Sequence, residues 1–467
     1  MKSQKNILKH RSSGILLPIS SLPSKYGIGD IGPSAYEWVD HLHDSGQSYW
    51  QILPVSIFDK YGSPYASYSA FGAHPLYISL ELLKDEGLLE QKELDYCLIT
   101  ESSEIDLNLV SLKKMEVLKK ASQRFYEEGN QVPDDFHLKY KYWLPNLIKY
   151  MTTFFASEKD HLFWQYVFYK QWNKLKSYAN KKSIRLFGDL PIFVGLQSMD
   201  VKYFKEYFKL DSKGLPSVIT GAPPDDFSIE GQLWGTPNYN WENLQKSEFE
   251  WWVQRIQYHS ELYDLLRLDH FIGYYNVWET PYGEKTAKKG QWVVSHGEQL
   301  LSTLHEKVPQ LPYIAEDLGE VSEGVHELRK QFQIPAMRVL QFAYGSDEKN
   351  MHLPHQIDEQ TVYYTGTHDN KTLKQWIDEI SPNEKRNIQK YNLDLNPSSF
   401  IQEVYQSKAK LAITPYQDFL RKGKEARINI PGTTLNNWKW RLRSEDMDDR
   451  FWKEIKSVTK ESNREKE

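Results

Sequence analysis

Three acidic residues stand at or just beyond the ends of three short hydrophobic runs that lie far apart in the chain. Asp269 ends the run in LLRLDHF, Glu316 follows the run in PYIAEDLG, and Asp369 follows the run in VYYTGTHDN. Each run is mostly apolar and rich in residues that are typical of buried strands. Two carboxyl groups in one cleft are the minimum equipment for breaking a glycosidic bond. The three acids therefore predict a carbohydrate-active enzyme.

These acids need elements that carry them to one place, and the sequence predicts a parallel β/α barrel for that purpose. Apolar strands alternate with amphipathic helical stretches, which indicates βαβ units and a parallel sheet. In a closed barrel of eight such strands, the chemistry lies on the loops that follow the strands. The predicted strands are Gly14–Leu17, Tyr49–Leu53, Ile184–Gly188, Leu265–Asp269, Tyr313–Ala315, Met337–Gln341, Val362–Thr365 and Arg427–Asn429.

The length of the chain predicts large insertions into this barrel. A plain barrel needs about 250 residues, whereas the chain has 467. We expect a single catalytic barrel over residues 1–467, with a largely helical subdomain inserted at 56–180 after the second strand. A loop-rich subdomain is expected at 190–264 after the third strand, because this region contains TGAPPDDFSIEGQLWGTPNYNW. Residues 455–467 are expected to form a charged, frayed tail.

Composition narrows the class of substrate and the compartment. A net charge of −5 and a pI near 6.3 argue against a nucleic-acid or anionic-membrane partner and suit a neutral substrate. Aromatic residues make up 14% of the chain, and their faces stack on the C–H faces of sugars. The single cysteine, Cys97, excludes an intramolecular disulfide and favours a reducing cytoplasm. No apolar stretch is long enough to cross a membrane.

Other motifs give no support to cofactor or metal chemistry. Residues 27–32 match GxGxxG, but several residues separate them from the preceding strand, and the next strand ends in Gln51-Ile52-Leu53-Pro54 without an acid. The chain lacks HExxH, CxxC and the Gly-x-Ser-x-Gly motif of the α/β-hydrolases. We therefore expect no cofactor and no catalytic metal; the carboxylate count leaves a structural calcium ion open.

The neighbours of the three acids suggest distinct roles. Arg267 lies two residues before Asp269, so both side chains point to the same side of a strand, and its guanidinium would keep Asp269 ionised as a nucleophile. Glu316 follows an apolar strand, where desolvation would raise its pKa and suit a general acid. Asp369, together with His368, would hold sugar hydroxyls and favour ring distortion. Spacing alone allows these roles to be permuted.

The chain resembles the amylomaltase (disproportionating enzyme) family of 4-α-glucanotransferases, glycoside hydrolase family 77. The resemblance runs from residue 13 to about residue 442, nearly the whole chain. It rests on the segments SGILLPISSLPSKYGIGDIG, YWQILPV, YGSPYASYSAF, GDLPIFV, GAPPDDFS, GQLWGTPNYNW, LRLDHFIGYYNVWETP, AEDLG, RVLQFAYGSD, YTGTHDN and ARINIPGTTLNNWKWRL.

The resemblance implies a role for nine residues and a two-step reaction. It implies that Asp269 is the nucleophile, Glu316 the acid/base and Asp369 the acid that stabilises the transition state. Further implied substrate-binding residues are Arg267, His368, Asp189, Tyr65, Gln232 and Trp234. The implied fold is a β/α barrel without a separate C-terminal β domain. The implied activity is retaining transfer of α-1,4-glucan segments between maltodextrins, with release of glucose or short sugars, and loop 226–234 would exclude water.

Six positions depart from the pattern of this family, and two other functions remain open. The departures are His74, Ser79, Gln197, Ile272, His296 and Lys371. They leave the acceptor preference, the product length and the ratio of transfer to hydrolysis undetermined. One alternative function is an α-amylase-like hydrolase that uses the same acids. The more distant alternative is a glucan-binding protein without activity, which retention of all three acids and Arg267 disfavours.

Overall fold

The computed structural model describes residues 8–154, 156–224, 228–319 and 321–465, whose strands form two sheets. The strands are β1 (Ser12–Leu16), β2 (Tyr49–Gln51), β3 (Arg185–Leu190), β4 (Val218–Ala222), β5 (Gln232–Pro237), β6 (Leu265–Leu268), β7 (Asn276–Pro281), β8 (Gln291–Val294), β9 (Tyr313–Ala315), β10 (Ala336–Val339), β11 (Thr361–Tyr364) and β12 (Leu411–Pro415).

Helices occupy most of the chain between these strands. They are α1 (Pro33–Asp44), α2 (Leu80–Asp85), α3 (Gln91–Tyr96), α4 (Leu107–Glu127), α5 (Asp134–Lys139), α6 (Leu144–Met151), α7 (Glu158–Lys181), α8 (Met199–Tyr203), α9 (Trp241–Lys246), α10 (Glu250–Leu262), α11 (Ile272–Tyr275), α12 (Gly297–Lys307), α13 (Glu323–Gln331), α14 (Leu373–Glu379), α15 (Pro382–Gln389), α16 (Pro397–Gln406), α17 (Tyr416–Phe419) and α18 (Asp449–Glu461). Short 3-10 helices span Ile19–Ser21, Pro75–Tyr77, Lys205–Tyr207, Ala287–Lys289, Leu340–Phe342, Pro354–Gln356, Lys424–Ala426 and Ser444–Met447.

The larger sheet is a closed barrel of parallel strands in the order β1-β12-β11-β10-β9-β6-β3-β2. This arrangement confirms the predicted (β/α)8 barrel. After β12, the described residues contain helical elements and loops but no further strand, in agreement with the expected lack of a C-terminal β domain.

The interior of the barrel explains why polar residues at the strand ends point into one cleft. Buried side chains fill this interior: Leu8, Leu16, Tyr49, Phe187, Leu265, Ile314, Met337, Val339, Val362, Tyr364, Leu411 and Ile413. Side chains alternate along a strand, so a residue two positions after an interior residue lies on the same side. Asp189 follows Phe187 in this way and Glu316 follows Ile314. Arg267 and Asp269 follow Leu265 at successive steps of two.

The prediction of the eighth strand was wrong. Seven predicted strands coincide with barrel strands to within two residues at each end, but the last strand is β12 (Leu411–Pro415) rather than Arg427–Asn429. The alternation Arg-Ile-Asn-Ile imitates a half-buried strand. β12 is buried along its whole length and pairs with both β1 and β11, which satisfies its backbone and closes the barrel. Residues 427–429 instead lie beside the loop that carries Asp369, as described below.

A second, antiparallel sheet was not predicted, although it carries two of the expected binding residues. Its order is β5-β4-β7-β8, and it joins the segment after β3 to the segment after β6. β5 begins at Gln232 and includes Trp234. The sequence did contain a signal for this sheet, because the runs NVWETP and QWVV are rich in β-branched and aromatic residues.

The expectation of a frayed tail from residue 455 was also wrong within the described residues, which end at 465. Helix α18 runs from Asp449 to Glu461 and buries Trp452 and Ile455. Beyond it, Arg464 is fully buried and donates hydrogen bonds to the carbonyl oxygens of Tyr405, Ser12, Ser407 and Ala409. The charge count of this segment predicted disorder, but one arginine with matched acceptors fixes it.

The region 56–180 contains the helices that the sequence indicated, and the status of both inserted regions as subdomains stays a prediction. Helices α2 to α7 lie in or overlap residues 56–180, and 190–264 contains helices α8 to α10 as well as β4 and β5. Among the described residues, no helix is long and apolar enough to cross a membrane.

Candidate active site

A single buried guanidinium lies at the centre of the cleft and contacts three carboxylates. Arg267 Nη1 donates to both oxygens of Asp189, at 2.8 and 2.7 Å, and to Asp269 Oδ1 at 2.7 Å. Arg267 Nη2 lies 3.5 Å from Glu316 Oε2. The arginine side chain is 3% exposed, whereas the side chains of Asp269 and Glu316 are 22% and 17% exposed. A substrate can therefore reach both acids but not the cation that orients them.

Burial raises the pKa of Asp269 and of Glu316, two of the acids that share Arg267. For Glu316, desolvation is the largest effect and the negative charge of Asp269 adds to it, so its pKa rises well above that of a free carboxyl. The pKa of Asp269 is raised as well, chiefly by burial and then by Asp189 and Asp369, and the rise is smaller. The sequence predicted the rise for Glu316. It did not predict the rise for Asp269, because Arg267 divides its charge among three acids.

Asp369 lies in the opposite electrostatic environment. His368 Nε2 lies 3.3 Å from Asp369 Oδ2, and Asn429 Nδ2 donates to Asp369 Oδ1 at 2.6 Å. Burial alone would raise the pKa of Asp369, but the charge and hydrogen bond of His368, with the bond from Asn429 and the charge of Arg267, hold it well below its usual range. Asp369 is therefore an ionised acid at neutral pH.

Tyr65 connects these two environments. Its hydroxyl donates to Asp189 Oδ2 at 2.7 Å, and its ring stacks on the imidazole of His368 with 5.2 Å between the ring centroids. An unbroken chain of contacts therefore runs from Asp369 through His368, Tyr65 and Asp189 to Arg267. The three acids singled out in the sequence converge at one mouth of the barrel.

The antiparallel sheet brings its two predicted residues to the edge of this cleft. Trp234 Nε1 donates to Gln232 Oε1 at 3.2 Å. The indole of Trp234 meets the imidazole of His270 edge-on, with 4.7 Å between the centroids. His270 directly follows Asp269, so Trp234 stands over the loop of that acid. Residues 225–227 lie outside the described residues, so the structure describes the expected loop 226–234 only from residue 228 onward.

Two contributions to the site were missed in the sequence. The first is the backbone of His270, which has a φ of 46° and whose N–H donates a hydrogen bond to Glu316 Oε2. A left-handed backbone at a residue other than glycine is uncommon and often marks a functional turn. The second is Asn429, which the sequence placed in a strand. Backbone conformation and a loop that returns from 60 residues away leave no local pattern in the sequence.

A groove with a volume of about 580 Å³ extends from this side of the cleft. Aromatic residues in its wall include Phe58, Tyr61 and Trp438. Trp438 also faces Tyr65 and His368, with ring centroids 5.6 and 6.1 Å apart. The groove therefore continues the surface that the acids occupy and offers aromatic faces to a ligand.

The six departures from the family pattern have structural roles in the neighbouring loops. His74 stacks on Phe58, with 3.7 Å between the centroids, and desolvation lowers its pKa to about 3. Ser79 caps helix α2 and Ile272 begins helix α11. The other three make these contacts: the carbonyl of Gln197 with Tyr150, His296 with Gln245, and Lys371 with Glu379. Among the described residues, no group of three His, Cys, Asp or Glu side chains could hold a metal ion.

Known proteins of one family match nearly the whole chain. The model of glycoside hydrolase family 77, described as 4-alpha-glucanotransferase, matches residues 17–160 and 146–447. The 4-alpha-glucanotransferase of Clostridium butyricum is 39% identical over 91% of this chain and 95% of its own length. That of Aquifex aeolicus is 37% identical over 93% of this chain and 96% of its own length.

A solved structure gives the same result for the fold. The amylomaltase from Streptococcus agalactiae in complex with acarbose superimposes with a TM-score of 0.93 and 33% sequence identity, and the match covers 98% of this chain and 100% of that chain. The match extends over the barrel, the inserted segments and the cleft. The chain belongs to the 4-alpha-glucanotransferase family, glycoside hydrolase family 77.

Proposed function

We propose that this chain is a 4-alpha-glucanotransferase that moves α-1,4-glucan segments from one maltodextrin to another with retention of configuration. The observation that carries this function is the sharing of Arg267 by Asp269 and Glu316, beside an Asp369 with a depressed pKa. Retaining glycoside chemistry needs an ionised nucleophile beside a carboxyl that stays protonated until it donates its proton. The ordering of the pKa values, with Glu316 above Asp269, supports these two roles.

The hydrogen bonds suggest which oxygens act in the first step. Asp269 Oδ1 accepts from Arg267, which leaves Oδ2 to attack the anomeric carbon. Glu316 Oε2 accepts from the His270 N–H, which leaves Oε1 to carry the acidic proton. The bond from Asp269 to the anomeric carbon forms as the glycosidic C–O bond breaks, and Glu316 gives its proton to the departing 4-oxygen. The reducing-end segment then leaves as an alcohol.

The second step reverses the first with a new glucan. Glu316, now a carboxylate, takes the proton from the 4-hydroxyl of the acceptor, and that oxygen displaces Asp269 from the anomeric carbon. Arg267 stabilises Asp269 both as nucleophile and as leaving group. Asp369 and His368 hold hydroxyls of the reacting sugar, and the charge of Asp369 stabilises the positive charge that develops on the ring.

Transfer exceeds hydrolysis only when an acceptor is held in place and water is excluded. Trp234 and Gln232 stand over the loop of Asp269 and supply the acceptor side, with residues 228–231 directly before them in the chain. Tyr65, Trp438 and the adjoining groove supply aromatic surface for the rest of the glucan. Acarbose, which is bound to the Streptococcus agalactiae relative, suggests oligosaccharide ligands here as well.

The other properties in this proposal follow from composition and chemistry. The reaction needs no cofactor and no metal, because the groups described can move every proton and electron pair in both steps. We propose a cytoplasmic location on the basis of the single cysteine. The net charge of −5 supports a neutral glucan rather than a nucleic acid or a membrane surface as the partner.

The test is the product distribution from maltotriose. A transferase yields glucose together with maltodextrins longer than three sugars, measured by chromatography over time. Formation of glucose and maltose without any longer chain would identify the α-amylase-like hydrolase instead. Binding of maltotriose without any product would identify the non-catalytic glucan-binding protein.

A further inference from the structure

The segment that imitated a strand in the sequence is bonded to the loop that carries Asp369. The backbone N–H of Asn429 donates to the carbonyl of His368 at 3.1 Å, and its side-chain amide donates to Asp369 Oδ1 at 2.6 Å. Arg427 Nη2 donates to the carbonyl oxygen of Asp369 at 3.0 Å. Both the backbone and the carboxylate of Asp369 are therefore held from this segment.

The backbone that carries Asn429 is itself held in place by bonds within residues 427–438. Arg427 Nε donates to the carbonyl of Asn429 at 2.9 Å, so one guanidinium joins residues 369 and 429. The loop that follows is closed by Asn437, whose Oδ1 accepts from the Ile430 N–H at 3.0 Å. The Trp438 N–H donates to the carbonyl of Ile428 at 2.7 Å. These bonds fix the backbone from which the Asn429 side chain projects towards Asp369.

Asp369 needs such a partner because it is the most accessible of the three acids. Its side chain is 37% exposed, compared with 22% for Asp269 and 17% for Glu316. The terminal torsion of an aspartate is broad, so the carboxylate can rotate unless both oxygens are held. His368 holds Oδ2 and Asn429 holds Oδ1.

We propose that Asn429, oriented by Arg427, is a positioning residue that fixes the Asp369 carboxylate in the orientation required for glucan transfer. The inference rests on the proposed function, and Asn429 acts through Asp369 rather than on the reacting bond. Because the side chain of Asn429 is a neutral donor, it orients the carboxylate without compensating its charge. The charge then remains available to the sugar ring.

The substitution Asn429→Asp would place a second carboxyl beside Asp369 and make the positioning of Asp369 dependent on pH. The charged and titratable groups that act on Asp369 include His368, Arg267, Arg427, Asp269 and Glu316. Since Asp369 has a strongly lowered pKa, a proton shared between it and the introduced carboxyl resides on the latter. The protonated carboxyl donates as the amide did, whereas the ionised carboxyl cannot donate and repels Asp369.

The experiment measures maltotriose disproportionation by Asn429→Asp and Asn429→Leu from pH 5 to 8. The control is Asn130→Asp, which makes the same change at an exposed site after helix α4. For Asn429→Asp we expect kcat within about threefold of the wild type at pH 5 and about 10–100-fold below it at pH 8. Asn429→Leu should lose about 10–100-fold of kcat at every pH, with KM changed less than about threefold. The control should follow the wild type throughout.

A purely structural role for Asn429 predicts a different pattern. An Asn429→Asp variant whose activity relative to the wild type does not change with pH would overturn the proposal, as would Asn429→Leu with the wild-type kcat. If thermal unfolding shows that Asn429→Leu is not folded, the pH dependence of Asn429→Asp alone tests the proposal, because aspartate has the same shape as the native side chain. A wild-type enzyme that makes no longer chains from maltotriose would instead contradict the proposed function.

Discussion

Asp269 and Glu316 share one buried guanidinium with Asp189, whereas Asp369 has a histidine and an amide of its own. The pKa values of the first two acids are raised and that of the third is lowered. All three are carboxyl groups at the same mouth of one barrel. Burial therefore raises the pKa of a carboxyl at this mouth unless hydrogen-bond donors and positive charge of its own outweigh the burial, as they do at Asp369.

Among the groups around Arg267, removal of the nucleophile Asp269 should lower the activity most. We expect Asp269→Asn to lower kcat by about 10⁴-fold or more, since no other group forms the covalent bond. The rate of glucose release from maltotriose measures the loss, and circular dichroism verifies the fold. The exposed Asp95→Asn serves as a control, because Asp95 lies on helix α3. Activity of Asp269→Asn within tenfold of the wild type would show that another residue is the nucleophile.

Removing the shared cation should reveal how much of the fold depends on it. In Arg267→Met, the buried Asp189 loses both of its guanidinium contacts, and unpairing a buried charge typically costs about 3–5 kcal/mol in the free energy of unfolding. Urea denaturation measures this loss. The double variant Arg267→Met/Asp189→Asn should recover part of it, because no uncompensated charge is left at position 189. A double variant no more stable than Arg267→Met would contradict this explanation.

The two raised pKa values, those of Asp269 and Glu316, also predict the shape of the pH profile. Activity should rise with pH as Asp269 ionises and fall as Glu316 loses its proton, and both limbs should lie above the pKa of a free carboxyl. Asp189→Asn removes a negative charge that raises the pKa of Asp269 and leaves Arg267 more available to it. The rising limb of kcat/KM should therefore move to lower pH by about one unit. A shift to higher pH would contradict the arrangement.

The smallest expected effect concerns the acceptor side of the cleft. Trp234→Ala should raise the fraction of maltotriose that is hydrolysed by about 3–10-fold, because water and acceptor are then less well distinguished. Trp292→Ala is the matched control, since this exposed tryptophan lies on the opposite face of the same sheet. An equal rise in both variants would mean that Trp234 has no special role in excluding water.

Most of the barrel could be predicted from the sequence, because its strands leave local patterns. Seven strands were visible as short apolar runs, and strand geometry placed Asp269 and Glu316, which come directly after β6 and β9. The sequence could not place Asn429 or His270 in the site, since one contact depends on a loop return and the other on a left-handed backbone. It also could not predict that Arg464 finds buried acceptors, because these carbonyls come from distant segments.

The central claim is that Asp269 forms the covalent bond to the sugar. The variant Glu316→Gln with an α-maltosyl fluoride donor tests this claim most directly. Fluoride leaves without a proton donor, so the first step proceeds, whereas the second step lacks its base and the glycosyl-enzyme accumulates. Mass spectrometry of the intact protein and of its peptides then locates the sugar. We predict one maltosyl group on the peptide that contains Asp269. A maltosyl group on Asp369, or fluoride release at the wild-type rate without any adduct, would contradict the mechanism.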